Sequence, residues 1–472
     1  MRFAALCAGY FLILLDVTVV NVALPAIGHD LSASGPRLAW AVDAYAVPLA
    51  ALLLPAGALG DRLGHKQIVL LGLLGFGVAS VGCALASTIE MFAVARALQG
   101  CAAAVMLPGT LALIAQSAAD DQVRARRVAL WAALGGLALP AGPLLGGVLV
   151  SGPGWQSVFW LNVPVIVIAL LVLARLPRVR AVNATSRAGV DWLGAGLLTL
   201  TIGASVFAVL EGASSTEIAV GAGLVAVIAV GALVRQQRAA ASPLLAVPPA
   251  ERLGLVIASG VAGLMNFCMV GSLFVLTQVL QVSHGLRPWS AGLMLLPAMI
   301  PVPLLGPMSA RISIRIGAWH TSAIGLAFAA AGFAGLWMTV PHRQFVELGL
   351  ALVIWGCGVG ILTPAIVAAA LAAAPSTPGA ASGASNTARQ IGGALGVAVM
   401  AAVAGSAGGR MFVGHVQLLL MVCGVAFAVA ASALVAVPRV LERTREAEVR
   451  RVAVDGDGDG RRRGRGPDRG SR

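Results

Sequence analysis

The sequence predicts an all-α integral membrane protein of about 14 spanning helices. Three observations predict it. Of 472 residues, 59% are hydrophobic and only 11% charged, too little charge to cover a soluble domain of this length. Apolar runs of roughly 20 residues, enough to cross a bilayer, recur between residues 3 and 437. Threading those runs alternately through a membrane gathers the basic residues on one side.

Helix 1 (3–27) is too long for the apolar core of a signal peptide and carries Asp16 and Asn21 inside it, so it reads as a retained span. Asp16 lies near its middle, where a carboxylate costs roughly 2.5–3.5 kcal/mol. Burial favours the protonated form, the property a proton carrier needs; the other reading is a static carboxylate hydrogen-bonded within the bundle. Helix 2 (38–60) starts from the opposite side with Asp43 and Tyr45. Asp43 is shallower, either a mouth residue in contact with water or the cap of a helix start.

The stretch from Gly57 to Lys66 joins helices 2 and 3 (67–88). Its Gly57 and Gly64 permit a tight turn and close approach, and Asp61, Arg62 and Lys66 can latch onto neighbouring helix ends. Helix 4 (90–116) places Arg96 within the membrane, with Gln99 on the next turn. An arginine there faces a partner or a cavity, and an acid from helix 1 or 2 makes a pair that protonation could break. Helix 5 (128–150) carries Pro140 and Pro143, which kink it, and Gly142, Gly146 and Gly147, which give it a smooth packing face. Helix 6 (155–175) completes the first group.

Helices 7 (191–211) and 8 (216–234) follow a basic linker. Helix 9 (253–281) contributes Asn266, Gln278 and Gln281 as polar contacts to substrate or to packing neighbours. Helices 10 to 14 occupy 288–310, 318–338, 344–371, 386–406 and 413–437. Gly306, Ala310 and Arg311 repeat the spacing of Gly57, Asp61 and Arg62, so helices 9–14 repeat helices 1–6 and helices 7 and 8 are inserted. The units are therefore 1–175, 176–252, 253–437 and a tail, 438–472.

With the N-terminus inside, 26 basic residues fall on the cytoplasmic side and four (Arg37, Arg287, Arg343, Arg410) outside; Arg96 and Arg389 remain within or at the edge of helices. Both termini are thus expected in the cytoplasm, and the net charge of +13 reads as topology rather than as a nucleic-acid surface. The tail, with 11 arginines and seven acids among glycines, cannot bury a core and is expected to be disordered. Its Asp455–Gly460 stretch opens like a calcium loop but has Gly466 where that loop needs an acid. The six cysteines are scattered singly, which suits packing and no metal. No GxxxxGK[ST] phosphate loop occurs, and clustered nucleophiles that would suggest an enzyme are absent.

These residues together resemble the major facilitator superfamily, in its fourteen-helix drug:proton antiporter branch, and among those the methylenomycin-resistance-like exporters. The resemblance rests on Leu15–Pro25, Gly57–Lys66, Arg96–Gly100, Gly142–Gly147, Trp155–Pro164, Ser290–Pro297 and Ser382–Gly396, the last holding Asn386, Arg389 and Gln390. It implies two six-helix bundles plus an inserted pair, in the cytoplasmic membrane of a bacterium. Asp16 and Arg96 would couple protons, and Gly57, Asp61, Arg62, Gly64 and Lys66 would form a conformational latch. Gly142, Pro143, Gly146 and Gly147 would form the antiporter motif. Substrate would meet Asp43, Asn21, Tyr45, Gln99, Asn266 and Gln278. The implied activity is proton-coupled efflux of small lipophilic drugs or natural-product antibiotics by a lipid-embedded monomer, driven by the proton gradient without a cofactor. Export of an endogenous metabolite, or a membrane role other than transport, are the alternatives. His65 stands where the family has a basic residue, which suggests a weaker or pH-sensitive latch, and Gln156 and Ser157 depart from its usual external turn.

Overall fold

The computed structural model describes residues 2–33, 36–116, 120–175, 191–212, 215–240, 243 and 247–463. The Asp61 side chain and every side chain beyond Leu441 lie outside what is described. The helices are α1 (Arg2–Asp30), α2 (Pro36–Leu63), α3 (His65–Ala84), α4 (Ile89–Gln116), α5 (Asp121–Ser151) and α6 (Gln156–Ala174). They continue with α7 (Trp192–Glu211), α8 (Thr216–Ala239), α9 (Pro249–Ser283), α10 (Pro288–Ile316), α11 (Ala318–Thr339), α12 (Phe345–Ala373), α13 (Pro378–Ala404) and α14 (Phe412–Arg463). Over the described residues 13 are long and apolar enough to cross a membrane; α2, with Leu54, Ala58 and Asp61 outside the described side chains, completes the expected 14.

The helices outrun the apolar cores read from the sequence. Arg126 and Arg127 lie in the first turns of α5, Arg235 and Arg238 in the last of α8, and Arg311 and Arg315 inside α10 rather than in loops. Long cationic side chains reach the interface from helical positions, so the helix need not end where the hydrocarbon does. α14 likewise runs to Arg463, beyond its apolar span ending at Leu441, where the sequence suggests an unstructured tail. Arg and Glu, frequent between 439 and 451, are good helix formers.

Pairing between helices shows the repeat. α1 packs on α5, α2 on α4 and α3 on α4; eight helices later α9 packs on α13, α10 on α12 and α11 on α12. The halves meet through α2 with α13 and α5 with α10, contacts that a two-fold exchange of halves maps onto each other. The inserted α7 lies on α2 and α13, its Phe207 ring 6.3 Å from Trp40, with α8 outside it. Exposed apolar side chains such as Leu71, Leu74 and Val78 of α3, and Val220, Leu224 and Val227 of α8, form lipid-facing stripes.

The α2–α3 and α10–α11 junctions share one conformation. Gly64 has φ 93° and ψ 125°, Gly317 φ 86° and ψ 154°, a region that favours glycine. This matches Arg62 and Gly64 with Arg315 and Gly317, one helical turn later than the match of Arg62 with Arg311 suggested by spacing alone. The turn conformation, rather than the glycine of the preceding helix, carries the repeat.

Candidate functional site

Asp16 and Arg96 meet. α4 presents Arg96 and Gln99 on one face, three residues apart, toward the middle of α1, and Arg96 Nη1 donates to Asp16 Oδ2. Nη1 also donates to Gln99 Oε1 at 2.6 Å, and Gln99 Nε2 donates to Asp16 Oδ1 at 3.2 Å and to Ser80 Oγ at 3.0 Å. Ser80 Oγ, which donates to Phe76 O at 2.7 Å, also accepts from Asn162 Nδ2 at 3.3 Å. Arg96 Nε donates to Ala41 O at 3.0 Å, and its guanidinium carbon stands 4.3 Å from the Tyr45 ring centroid. Five helices (α1, α2, α3, α4 and α6) thus close one polar network. Asp16 and Arg96 are each 1% exposed and Gln99 is fully buried.

Gly100 shows why α2 and α4 come this close: a Cβ there would stand 3.0 Å from the Tyr45 carbonyl carbon, against backbone that cannot give way. A buried ion pair is tolerable when its remaining donors and acceptors are satisfied, and both Asp16 oxygens have donors. Protonation of Asp16 would remove one charge of the pair and leave the other stranded.

The other predicted substrate contacts are dispersed. Tyr45 and Gln99 belong to the ion-pair network. Asn21 donates to Val17 O at 2.9 Å, while its buried Oδ1 and the buried Oδ1 of Asn266 have no partner among the described residues. Gln278 lines a cavity of about 220 Å³ at the end of the bundle remote from the N-terminus, with Pro25, His29 and Ser406. Asp43 departs from the expectation of a watery mouth. It is fully buried in α2, and neither carboxylate oxygen has a hydrogen-bond partner among the described residues. Its shallow register suggests an opening, but the side chain is enclosed within the bundle.

The contrast between these acids gives a stability prediction. Asp43→Asn replaces a carboxyl group that no described hydrogen bond holds, and is expected to leave the thermal midpoint of the detergent-solubilised protein unchanged or raised. Asp16→Asn, which strands Arg96, should lower it by several degrees. The reverse order, read by differential scanning fluorimetry, would contradict this account of the two sites.

At the α2–α3 junction Lys66 Nζ donates to Ala174 O at 3.0 Å, a cation on the carbonyl end of α6. A Cβ on Gly60 would fall 2.6 Å from His65 Nδ1, so the departure at His65 is packed against the turn. In α5, Gly142 and Gly146 face α1: a Cβ at 142 would stand 2.6 Å from Thr18 Cβ, and one at 146 would stand 3.1 Å from Val22 Cβ. Gly147 faces the other half, 2.9 Å from Trp289 Cα by the same measure. Ser151 Oγ accepts from Trp289 N at 3.2 Å, and Gln281 Nε2 donates to Val22 O at 2.9 Å, so the halves are closed on each other at this end.

Comparison with known proteins agrees with this architecture. The family model of the Major Facilitator Superfamily matches residues 6–397. The chain belongs to the major facilitator superfamily. It is 33% identical over 374 residues to a methylenomycin A resistance protein of Bacillus subtilis, covering 78% of this chain and 79% of that one. A methylenomycin A resistance protein of Streptomyces coelicolor is also 33% identical, with 78% of each chain covered. The drug efflux pump JefA of Mycobacterium tuberculosis is 33% identical over 75% of this chain and 70% of its own. Among solved structures, the peptide transporter POT in complex with sulfate superposes with TM-score 0.68 at 17% identity, over 94% of this chain and 95% of that one. The protein is thus a multi-pass membrane protein of a transporter family that takes small-molecule substrates.

Ser80 and Asn162 are the network residues that sequence reasoning passed over. The available signal was weak: one hydroxyl in the apolar run of α3 and one amide where α6 begins its apolar run.

Proposed function

We propose that the protein exports small lipophilic drugs or natural-product antibiotics across the cytoplasmic membrane of a bacterium in exchange for protons. The sealed Asp16–Arg96–Gln99 network at membrane depth carries this reading. It holds an acid whose charge state decides whether five helices stay joined, which is what coupling to a proton requires. The names of the similar resistance and efflux proteins supply the direction and the substrate class. Arg96, Gln99 and Tyr45 hold Asp16, and the Gly57–Lys66 junction latches α2 and α3 to α6 through Lys66.

In this reading both termini are cytoplasmic, following the arginine bias. The closed α5–α10 end then faces outside, and the cavity beside Gln278 is its closed vestibule. The protein works as a monomer among lipids, with the proton gradient as its energy source. Inverted membrane vesicles with an acidic lumen should accumulate a fluorescent lipophilic drug, and a protonophore should abolish accumulation. Accumulation indifferent to the protonophore would exclude proton coupling.

The tail is not needed for this cycle. Deleting residues 445–472 is expected to leave protonophore-sensitive uptake within about twofold of wild type, because no membrane span is removed. Normal insertion with lost uptake would give the tail a role in transport.

A further inference from the structure

The inserted pair leaves a void against the second half. α9 packs on α13, α13 on α7 and α7 on α8, an arc of helices whose two ends, α8 and α9, make no comparable packing among the described residues. A cavity of about 280 Å³ lies inside the arc. Leu198 of α7, Leu233 and Gln237 of α8, Leu255 and Val256 of α9 and Ile391 of α13 line it. Val256 is 67% exposed, so the side between α8 and α9 gives onto lipid. The end near the helix termini is capped. Gln237 Nε2, in the last turn of α8, donates to Asp191 Oδ2 at 2.7 Å, and Asp191 Oδ1 accepts from Gly194 N at 2.7 Å. The end of α8 is thereby tied to the start of α7.

Two residues of the wall carry hydroxyls. Ser259 of α9 and Thr387 of α13 line the cavity, and Thr387 is only 6% exposed. Neither Ser259 Oγ nor Thr387 Oγ1 has a hydrogen-bond partner among the described residues. Thr199, Thr201 and Ser205 of the adjacent α7 each donate to a carbonyl four residues back, the usual resolution for a hydroxyl away from water. The two unpartnered hydroxyls also lie close in height. Gly263 packs on the Ala388 carbonyl and Gly271 on the Gly396 carbonyl, so α9 and α13 run parallel, and Ser259 and Thr387 fall within one turn of each other. Rotation about χ1 gives each hydroxyl a choice of staggered directions. A single carbonyl oxygen, with two lone pairs, can accept from both.

No lining residue is charged, so an ion here would lie in apolar surroundings without a counter-charge. The volume stands at the lower end of the roughly 300–1,000 Å³ of small-molecule sites. We propose that this cavity binds an uncharged lipophilic molecule bearing a carbonyl group, which enters from the lipid between α8 and α9 and accepts from Ser259 and Thr387. The inserted pair then walls a ligand site of its own. None of α1, α2, α3, α4 and α6, the helices of the Asp16–Arg96 network, lines it, and its occupation does not depend on the export reading.

Benzophenone is the probe, an uncharged ketone that inserts into neighbouring C–H bonds when irradiated. The full-length protein in lipid nanodiscs is irradiated with it, and labelled residues are located by mass spectrometry. The readout is labelling of the cavity wall relative to the lipid-facing stripe of α3 (Leu71, Leu74, Val78), which corrects for partition into lipid. Wild type should show saturable enrichment of at least about tenfold at the wall, and the anion 4-benzoylbenzoate should show none. Leu233→Trp, which fills the cavity from α8, should abolish the enrichment. The double variant Ser259→Ala/Thr387→Val keeps the shape of the wall and should weaken half-saturation by about threefold or more. Even labelling of wall and stripe, equal enrichment of the anion, enrichment that survives Leu233→Trp, or unchanged half-saturation in the double variant would each overturn the proposal. Enrichment in detergent that vanishes in nanodiscs would assign the cavity to lipid acyl chains and overturn it as well. If Leu233→Trp does not insert, the two probes and the double variant decide.

Discussion

Asp16→Asn should abolish accumulation driven by a pH gradient while substrate binding and downhill exchange persist. The amide keeps the shape of the carboxyl group, and its single oxygen can still accept from Arg96 Nη1, while its NH2 takes the place of the oxygen that accepts from Gln99 Nε2 and loses that bond. It cannot change charge. If Asp16 is the group whose protonation alternates during the cycle, the variant is fixed in the neutral state, and substrate can equilibrate but not be driven. Stranding Arg96 costs about 3–5 kcal/mol in a buried pair whose partner is removed. The Gln99 carbonyl at 2.6 Å, the Ala41 carbonyl at 3.0 Å and the Tyr45 ring keep part of its support. The measurement is paired: counterflow in proteoliposomes without a gradient, and uphill uptake with one. Uphill uptake equal to wild type would remove Asp16 from the proton path. Should Asp43→Asn lose it instead, the two acids have been assigned the wrong way round.

The Asp16–Arg96 pair was legible in the sequence because each residue is so expensive where it sits. One mid-membrane acid in α1 and one arginine in α4 leave little choice of partner. The rest of the network was not, because a lone Ser or Thr in a membrane helix usually bonds its own backbone. Thr199, Thr201, Ser205 and Ser322 do so here, each to a carbonyl four residues back. Ser80 does the same to Phe76 and still accepts from Gln99 and Asn162, and nothing local marks that difference. Asp43 shows a second limit. Counting residues from the helix start gives depth, but whether a side chain meets water depends on the helices packed on α2, several of them distant in sequence. Helix number and the two-half repeat were legible because hydropathy and arginine placement are summed over many residues. The register of the repeat was not, since Gly306 matches Gly57 by spacing while Gly317 matches Gly64 by backbone conformation. The latch acid Asp61 lies outside the described side chains.

Bulk placed on α5 should have opposite consequences at positions only five residues apart. Gly142 is enclosed within its own half: a Cβ there would stand 2.6 Å from Thr18 Cβ and 3.0 Å from the Thr18 backbone carbon. The α1–α5 contact lies within one half and does not depend on how the two halves are placed. Gly142→Leu should therefore impair assembly of the first six helices, and lost transport would say little about the cycle. A Cβ on Gly147 would instead stand 2.9 Å from Trp289 Cα and 3.1 Å from Pro288 O, across the interface, where Gly292 packs against the Pro143 carbonyl in return. In the proposed cycle this contact exists only while the outer end is closed. Overpacking costs about 1–3 kcal/mol, and against backbone it reaches the upper end, a shift of roughly 100-fold away from the closed state. Gly147→Leu should insert and unfold thermally like wild type, yet lose at least about tenfold in exchange rate. Ser151 Oγ now accepts from Trp289 N at 3.2 Å. Wild-type exchange in Gly147→Leu would mean that the halves do not part at α5 and α10, and that the glycine face of α5 serves packing alone.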